Sequence, residues 1–389
     1  MFIADHSSLE YHDPWLEPLD ERIRILARAK YKIAYFYESP NNSSFRYRAY
    51  NMTQALNASD DIEFSASYFF TDDLDYIDNI ADIANLLVIC RSRYNSKINN
   101  LILKFKIRKK SVIFDIDDFV FNSRYTHLII NTLDQDIDNN STWDEWFAMT
   151  SRLGETLKLC DGAITTNTYL ATKIAEYSGL PVRVVPNFIN KEQLDFSESI
   201  YLNKVALKFK RNDKISLGYF SGSPSHNLDF AIITAALEDV LENDQRVELM
   251  IVGYIEPSLN LRRFGGRIKY QPFHDYVNLQ GLIGSVEFNL MPLQYNCFTN
   301  CKSELKYFEA AIVGTLSIAS PSFTYASSIE DGKNGYISHA HQWSSVIKRA
   351  ISNMDAYSDM ARKAYEDAIF RFVWYNNRRN IISAINYFK

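Results

Sequence analysis

The sequence predicts an α/β protein made of two doubly wound, Rossmann-like domains that face each other across a cleft. Three observations carry that expectation. At 389 residues the chain is long enough for two domains, given the usual span of about 100 to 200 residues each. Short runs rich in β-branched and aromatic residues alternate with longer stretches of helical period, the pattern left by parallel strands and their crossover helices. The alternation breaks once, after Asn187, and then restarts. Ligands of such folds collect near the carboxyl ends of the strands.

In the first half the strand candidates are KIAYFYE (32–38), SASYFF (65–70), LLVICRS (86–92), SVIFDID (111–117), GAITTN (162–167) and VRVVPN (182–187). Helical patterns such as FRYRAYNMTQAL and WDEWFAMTSRLGETLKLC fill the gaps. The stretch FINKEQLDFSESIYLNKVALKFKRND is polar and charged and reads as the connection between domains. The second series is KISLGYFSG (214–222), VELMIVG (247–253), RIKYQPF (267–273), VEFNLMPL (286–293) and TLSIASP (315–321). The expected boundaries are 1–195 for the first domain and 212–371 for the second. No short solenoid-type repeat is visible.

Composition narrows the function classes. With 47% hydrophobic and 23% charged residues, the chain is an ordinary globular one able to bury a sizeable core. A formal net charge of -5 argues against a nucleic-acid partner, which calls for a basic excess. Cys90, Cys160, Cys297 and Cys301 form no CxxC pair, so reduced thiols in a cytoplasmic protein are expected and a structural zinc site is not. The opening MFIADHSSLEYHDPWLEPLDER carries acids where a signal peptide needs a basic region, and nowhere do 18 apolar residues run together.

SVIFDIDDFVF, residues 111–121, is a strand that ends in the carboxylates Asp115, Asp117 and Asp118. It resembles the Asp-x-Asp-x-Thr strand of haloacid-dehalogenase-type phosphatases, with AITTN as a candidate second motif. Against that, Phe119 stands where the Thr belongs, and the later strand ELMIVGYIEPS lacks an acid pair for magnesium. One DxD supplies too few oxygen ligands for a metal. The DxD of single-domain, metal-dependent glycosyltransferases fits no better, because those enzymes lack a second doubly wound half. The bland alternative is that these aspartates merely end a strand and cap the next turn.

The second half carries a stronger signal. CKSELKYFEAAIVGTLSIASPSFTYASSIEDGKNGYIS, residues 301–338, resembles the nucleotide-sugar-binding segment of GT-B glycosyltransferases, in particular the large retaining family four. The matched features are Glu309 followed by AAIVGT, the strand LSIAS and then IEDGKNGY. GYFSGSPSHNLDFAIITAAL (218–237) looks like the first loop and helix of the donor domain in members that build bacterial surface polysaccharides. FRYRAYNMTQAL and FDIDDFVF resemble first-domain segments of the same proteins, so the likeness covers most of 31–340. It implies a GT-B fold, a nucleotide diphosphate sugar donor and a glycan or lipid-linked acceptor. It also implies a last helix, about 372–389, that crosses back to the first domain.

Physical chemistry supports the match at each piece. A carboxylate accepts hydrogen bonds from both hydroxyls of a ribose, and Glu309, inside a helix that opens near Ser303, is the candidate for that role. Orphan amides at the helix start, around Ser303 and Glu304, attract phosphate. Lys306, one turn earlier than Glu309, adds a positive charge that stabilises the departing nucleotide diphosphate. SGSPS (221–225) is a small-residue loop in which Gly222 relieves the φ constraint while Ser221 and Ser223 supply hydroxyls. His226 is a candidate for a phosphate or sugar contact, although a lone loop histidine is more often polar surface. Phe273, at the end of RIKYQPF, is assigned to the donor side.

Two departures stand out. The family's Glu, seven residues, Glu pattern puts its first acid eight positions before Glu309, where this chain has Cys301, so that acid is missing or replaced by a neighbour such as Lys302 or Glu304. The loop YFSGSPSHN contains neither the Arg nor the Lys that family members commonly aim at the pyrophosphate.

In the first domain, SPNNSSFRYR follows a strand and faces the cleft, so Arg46 and Arg48 are candidates to hold an acceptor phosphate or the donor pyrophosphate. Asp117 and Asp118 are read as groups that bind sugar hydroxyls or orient the acceptor, with no metal. In a retaining transfer of the family type the leaving phosphate takes the acceptor's proton. In an inverting one, Asp117 or Asp118 becomes the candidate general base. KINNLILKFKIRKK (97–110) holds six cations and no acid among apolar residues. It is a candidate for peripheral contact with anionic lipid, or simply a solvated face over the core.

The sequence is therefore read as a GT-B glycosyltransferase of surface-polysaccharide assembly, such as O-antigen or capsule, with no metal and no cofactor beyond the substrate nucleotide. The alternatives are a haloacid-dehalogenase-like phosphatase and a catalytically silent glycan-binding protein of the same fold.

Overall fold

A computed structural model describes residues 2, 8–41, 43–58, 62–222, 224–255 and 258–389. The first half forms a six-stranded parallel sheet from β1 (Tyr31–Phe36), β2 (Phe64–Phe69), β3 (Leu86–Cys90), β4 (Ser111–Ile116), β5 (Gly162–Thr165) and β6 (Val182–Val184), in the order β2-β1-β3-β4-β5-β6. The second half forms another from β7 (Ile215–Ser221), β8 (Val247–Gly253), β9 (Ile268–Gln271), β10 (Phe288–Met291), β11 (Leu316–Ala319) and β12 (Tyr336–Ile337), in the order β12-β11-β10-β7-β8-β9. Parallel sheets have helices on both faces, so their strands need apolar side chains on both sides. Every residue of β3 and β7 is accordingly buried. Strand order reverses between β1 and β3 and again between β7 and β10, the two switch points where such sheets open a crevice beyond their carboxyl ends.

Alternate residues of β1 serve opposite faces of the first sheet, Ile33 and Tyr35 in one core cluster, Ala34 and Phe36 in another. Helix Ser96–Ile107 packs into the latter cluster through Ile98, Leu101, Ile102 and Phe105. Its cations are largely engaged within the same unit: Lys104 with Asp78, Arg108 with Asp78 and Asp82, and Lys106 with Asp161. The Lys110 ammonium donates to the Ala81 and Asp82 carbonyls. The apolar stripe offered as a candidate for lipid is thus turned to the core, the other reading of this segment, and on this helix Leu103 and Ile107 are the large apolar residues left exposed. Among the described residues no helix is long and apolar enough to cross a membrane.

The segment read as a polar connection is mostly helix, Lys191–Ala206, started by the Asn190 side chain accepting from the Gln193 amide. It docks on the second unit. Gly284 leaves it room, since a Cβ there would come within 2.7 Å of Ile200. Lys204 is buried with it, donating to the Gly314 carbonyl and Thr315 hydroxyl at 3.2 and 3.1 Å. Burial holds that amine well below its usual range.

The chain passes between the units a second time near its end. Helix Tyr357–Phe372 packs on the second unit, Phe372 stacking on Phe308 at 5.0 Å. The Ile189 amide then donates to the Phe372 carbonyl at 2.7 Å, tying the two crossings together. Beyond them, helix Trp374–Tyr387 puts Ile381, Ala384 and Ile385 into the same cluster as Ala55, Leu56 and Ile164 of the first unit.

Candidate active site

A cleft of about 390 Å³ opens between the units, at both switch points. Its first-unit wall is Ser43, Ser44, Arg46 and Tyr47 after β1, with Asp117 after β4; its second-unit wall includes Ser221 at the end of β7 and Gly222 just past it, Phe273, His274 and Tyr276 after β9, and Lys306 and Glu309 from helix Leu305–Ala311 after β10. Seven of the sequence candidates thus meet here: Arg46, Asp117, Ser221, Gly222, Phe273, Lys306 and Glu309. Ser223 lies outside the described residues.

Glu309 sits at the centre of the wall. Its Oε1 accepts from the Tyr47 hydroxyl at 2.6 Å and from Gln193 Nε2 at 3.2 Å, and the Arg46 guanidinium stands 3.6 Å away. Burial raises the Tyr47 phenol well above its usual range, so it is protonated and donates. Arg46 lies between the rings of Tyr47 and Tyr276, 4.1 Å from each, and donates to Gln193 Oε1 at 3.0 Å. Lys306 has no ion pair among the described residues and sits 5.2 Å from the Tyr219 ring. Burial lowers its affinity for a proton, while Asp229 and Glu309 raise it.

Asp117 faces these groups from the first unit. Ser44 donates to its Oδ2 at 2.7 Å and Arg91 to its Oδ1 at 3.1 Å. Burial alone would raise its pKa, but Arg91, the Ser44 hydroxyl and Arg48 together hold it below the ordinary value, so Asp117 is ionised. Arg91 sits just past β3 with φ 39°, in the left-handed region that costs a non-glycine residue energy and recurs at functional sites.

Gly222 is not among the positive-φ residues, so the expected relief of backbone strain is corrected. A Cβ there would meet Phe273 at 4.0 Å and little else, which leaves open cleft beside it. Its neighbour on β8, Gly253, does take that conformation, with φ 97° and the Ser221 carbonyl where a Cβ would go.

Other candidates fall outside the wall. Arg48 is 1% exposed and fully occupied: it binds both oxygens of Asp115 at 2.7 and 2.9 Å, together with the Val185 carbonyl and Asn187. It is a buried strut rather than a phosphate ligand. Asp115 is equally enclosed, so the nucleophile that a phosphatase needs is out of reach of any substrate. Asp118 pairs with Lys302 at 2.9 Å across the interface, and Ser303 accepts from Asn187 at 3.1 Å. These contacts fasten the units together. His226 is held by Asp229 at 3.0 Å, and burial depresses its pKa. Glu304 stands at the N-cap position of helix Leu305–Ala311 without a side-chain capping bond and is buried off the cleft, its carboxyl pushed up to about 7 by desolvation. Cys301 is buried too, its carbonyl accepting from Asn167 of the first unit, so no acid replaces the family's first one in the wall.

Sequence reasoning missed Tyr47, Gln193, Arg91 and Tyr276. Tyr47 and Arg46 come from a π-helical turn, Arg46–Tyr50, that runs on into helix Asn51–Asn57. Such widened turns recur at functional sites. Among the described residues no three His, Cys, Asp or Glu side chains converge to hold a metal.

No family model and no curated protein matches the chain. Solved structures do. HepE of Anabaena, in complex with UDP-glucose, aligns with a TM-score of 0.60 at 13% identity, over 91% of this chain and 99% of its own. Sucrose-phosphate synthase of Thermosynechococcus elongatus aligns at 0.60 and 13%, over 91% and 98%. WaaG, a glycosyltransferase involved in lipopolysaccharide biosynthesis, aligns at 0.58 and 12%, over 90% and 99%. The fold is GT-B. In this GT-B chain the cleft lies between the two Rossmann-like units, with Asp117 on one wall and Glu309 and Lys306 on the other.

Proposed function

We propose that the chain is a glycosyltransferase that moves a sugar from a nucleotide diphosphate donor to a glycan or lipid-linked acceptor, with retention, in the assembly of a surface polysaccharide such as O-antigen or capsule. One observation carries this reading: Glu309 and Lys306 line one wall of a cleft at the GT-B switch points, and the ionised Asp117 lines the other. Glu309 binds the ribose diol, Lys306 balances the diphosphate, and the open space beside Gly222 receives the phosphates. Phe273, about half exposed at the cleft mouth, offers an aromatic face to the base. HepE, which has been solved with UDP-glucose, supports a nucleotide-sugar donor, and WaaG's part in lipopolysaccharide synthesis supports a surface-glycan acceptor.

In the transfer, the acceptor oxygen bonds to the anomeric carbon as the bond from that carbon to the phosphate oxygen breaks. The acceptor's proton passes to the departing diphosphate. Asp117 is a weak base because its pKa is depressed, so its task is to accept hydrogen bonds from sugar hydroxyls and orient the acceptor rather than to remove the proton. That favours retention, with attack on the face from which the leaving group departs. A silent member of the fold is the second reading, favoured by Cys301 at the position of the family's first acid. It expects binding without turnover.

The test is a thermal-shift screen with UDP, GDP, dTDP and CMP on the wild type and Glu309→Ala. One nucleoside diphosphate should raise the wild-type melting temperature by several degrees and lose most of that shift in the variant. No shift with any of the four would end the donor reading.

A further inference from the structure

Glu309 belongs to the second unit, yet its Oε1 is held from outside it. Tyr47 reaches it from the first unit at 2.6 Å, and Gln193 from the connecting helix at 3.2 Å. Tyr47 is a knob driven into the opposite unit: it is 3% exposed, sits in the second unit's core cluster and packs edge-on against Phe308. Among the described residues no hydrogen bond engages Glu309 Oε2, while the residue lines the cleft. Arg46, between the Tyr47 and Tyr276 rings, links the same turn to the loop after β9 that carries Phe273.

We propose that Tyr47 is a positioning residue that makes the donor's grip on the second unit depend on the closed arrangement of the two units. The proposal rests on Glu309 being the ribose ligand. A carboxylate on a flexible side chain loses rotamer freedom when it binds, and one whose first oxygen is already fixed presents the second at no further ordering cost. With the units apart, Tyr47 leaves Glu309, which keeps only Gln193 of the helix docked on its own unit, and the carboxylate turns more freely. With the units together, it is set for a diol. By linkage, donor binding pulls the units closed to the same degree that closure tightens donor binding.

Calorimetric titration of UDP and GDP into the wild type, Tyr47→Phe, Glu309→Gln and the double variant tests this. Tyr47→Phe keeps the ring and its packing, and should weaken the nucleotide that binds about ten- to 150-fold, the loss expected for one hydrogen bond to a charged group. The double variant should bind no worse than Glu309→Gln alone, because Tyr47 acts through that carboxylate. Gln193→Met, which removes the other donor, should weaken binding in the same direction and carries the test if Tyr47→Phe fails to fold. Wild-type binding with Tyr47→Phe or, where that variant does not fold, Gln193→Met equal to it, or losses that add in the double variant, would overturn the coupling alone, whereas Glu309→Gln binding like the wild type would overturn the ribose reading beneath it. A wild type that binds neither UDP nor GDP would overturn the donor reading, and the proposal with it.

Discussion

Burial acts on two carboxylates near the interface with opposite results. Asp117 has Arg91, Ser44 and Arg48 to outweigh its desolvation, whereas Glu304 has its own backbone amide and a more distant Arg371, and rises from about 4.5 to about 7. Between those two values the folded chain keeps a proton that the unfolded chain has lost, so stability from this group is full below about 4.5 and falls as pH climbs through 7. The slope is about 1.4 kcal/mol per pH unit, roughly 3 kcal/mol in all. Glu304→Gln should flatten that part of the stability profile in denaturant melts between pH 4 and 8, leaving the variant more stable at the alkaline end. Parallel profiles would show that Glu304 is not held protonated. At this scale, the place of Glu309 and Lys306 on the cleft wall was legible because a local motif carries them. Tyr47 was not, since its partner lies 262 positions away. Arg48 was misread for the same reason: its partner Asp115 is 67 positions away and buried.

At the level of elements, strands read well wherever both faces are buried, because a strand covered on both sides leaves a continuous apolar run bounded by turns. The two-residue β12 left too short a run to notice. The connecting helix was hidden by its own inner face, where Gln193, Ser197 and Lys204 are buried among Leu194, Ile200 and Tyr201, which blurs the apolar stripe a helix is recognised by. Helix Ser96–Ile107 shows the converse. Its pattern was plain, but a sequence cannot say whether an apolar stripe faces lipid or core, and here Phe105 is 0% exposed within the first unit. Phe105→Ala should therefore cost about 3 to 5 kcal/mol in a denaturant melt. A loss under about 1 kcal/mol would place that face outside the core.

For the whole molecule, the sequence told of two sheets and a cleft, but not of how firmly the halves are joined. Tyr47 to Glu309, Lys302 to Asp118 and Asn187 to Ser303 pair residues far apart in the chain, and no local pattern announces them. The two chain crossings meet where Ile189 bonds Phe372. Closure around a donor would expel water and favour transfer over hydrolysis. A crystal structure of the chain with its preferred nucleoside diphosphate tests this account most directly. It should place both ribose hydroxyls within hydrogen-bond distance of Glu309 and the diphosphate beside Lys306, with Tyr47 still on the carboxylate. A nucleotide bound elsewhere, or a Glu309 turned away from it, would contradict the account.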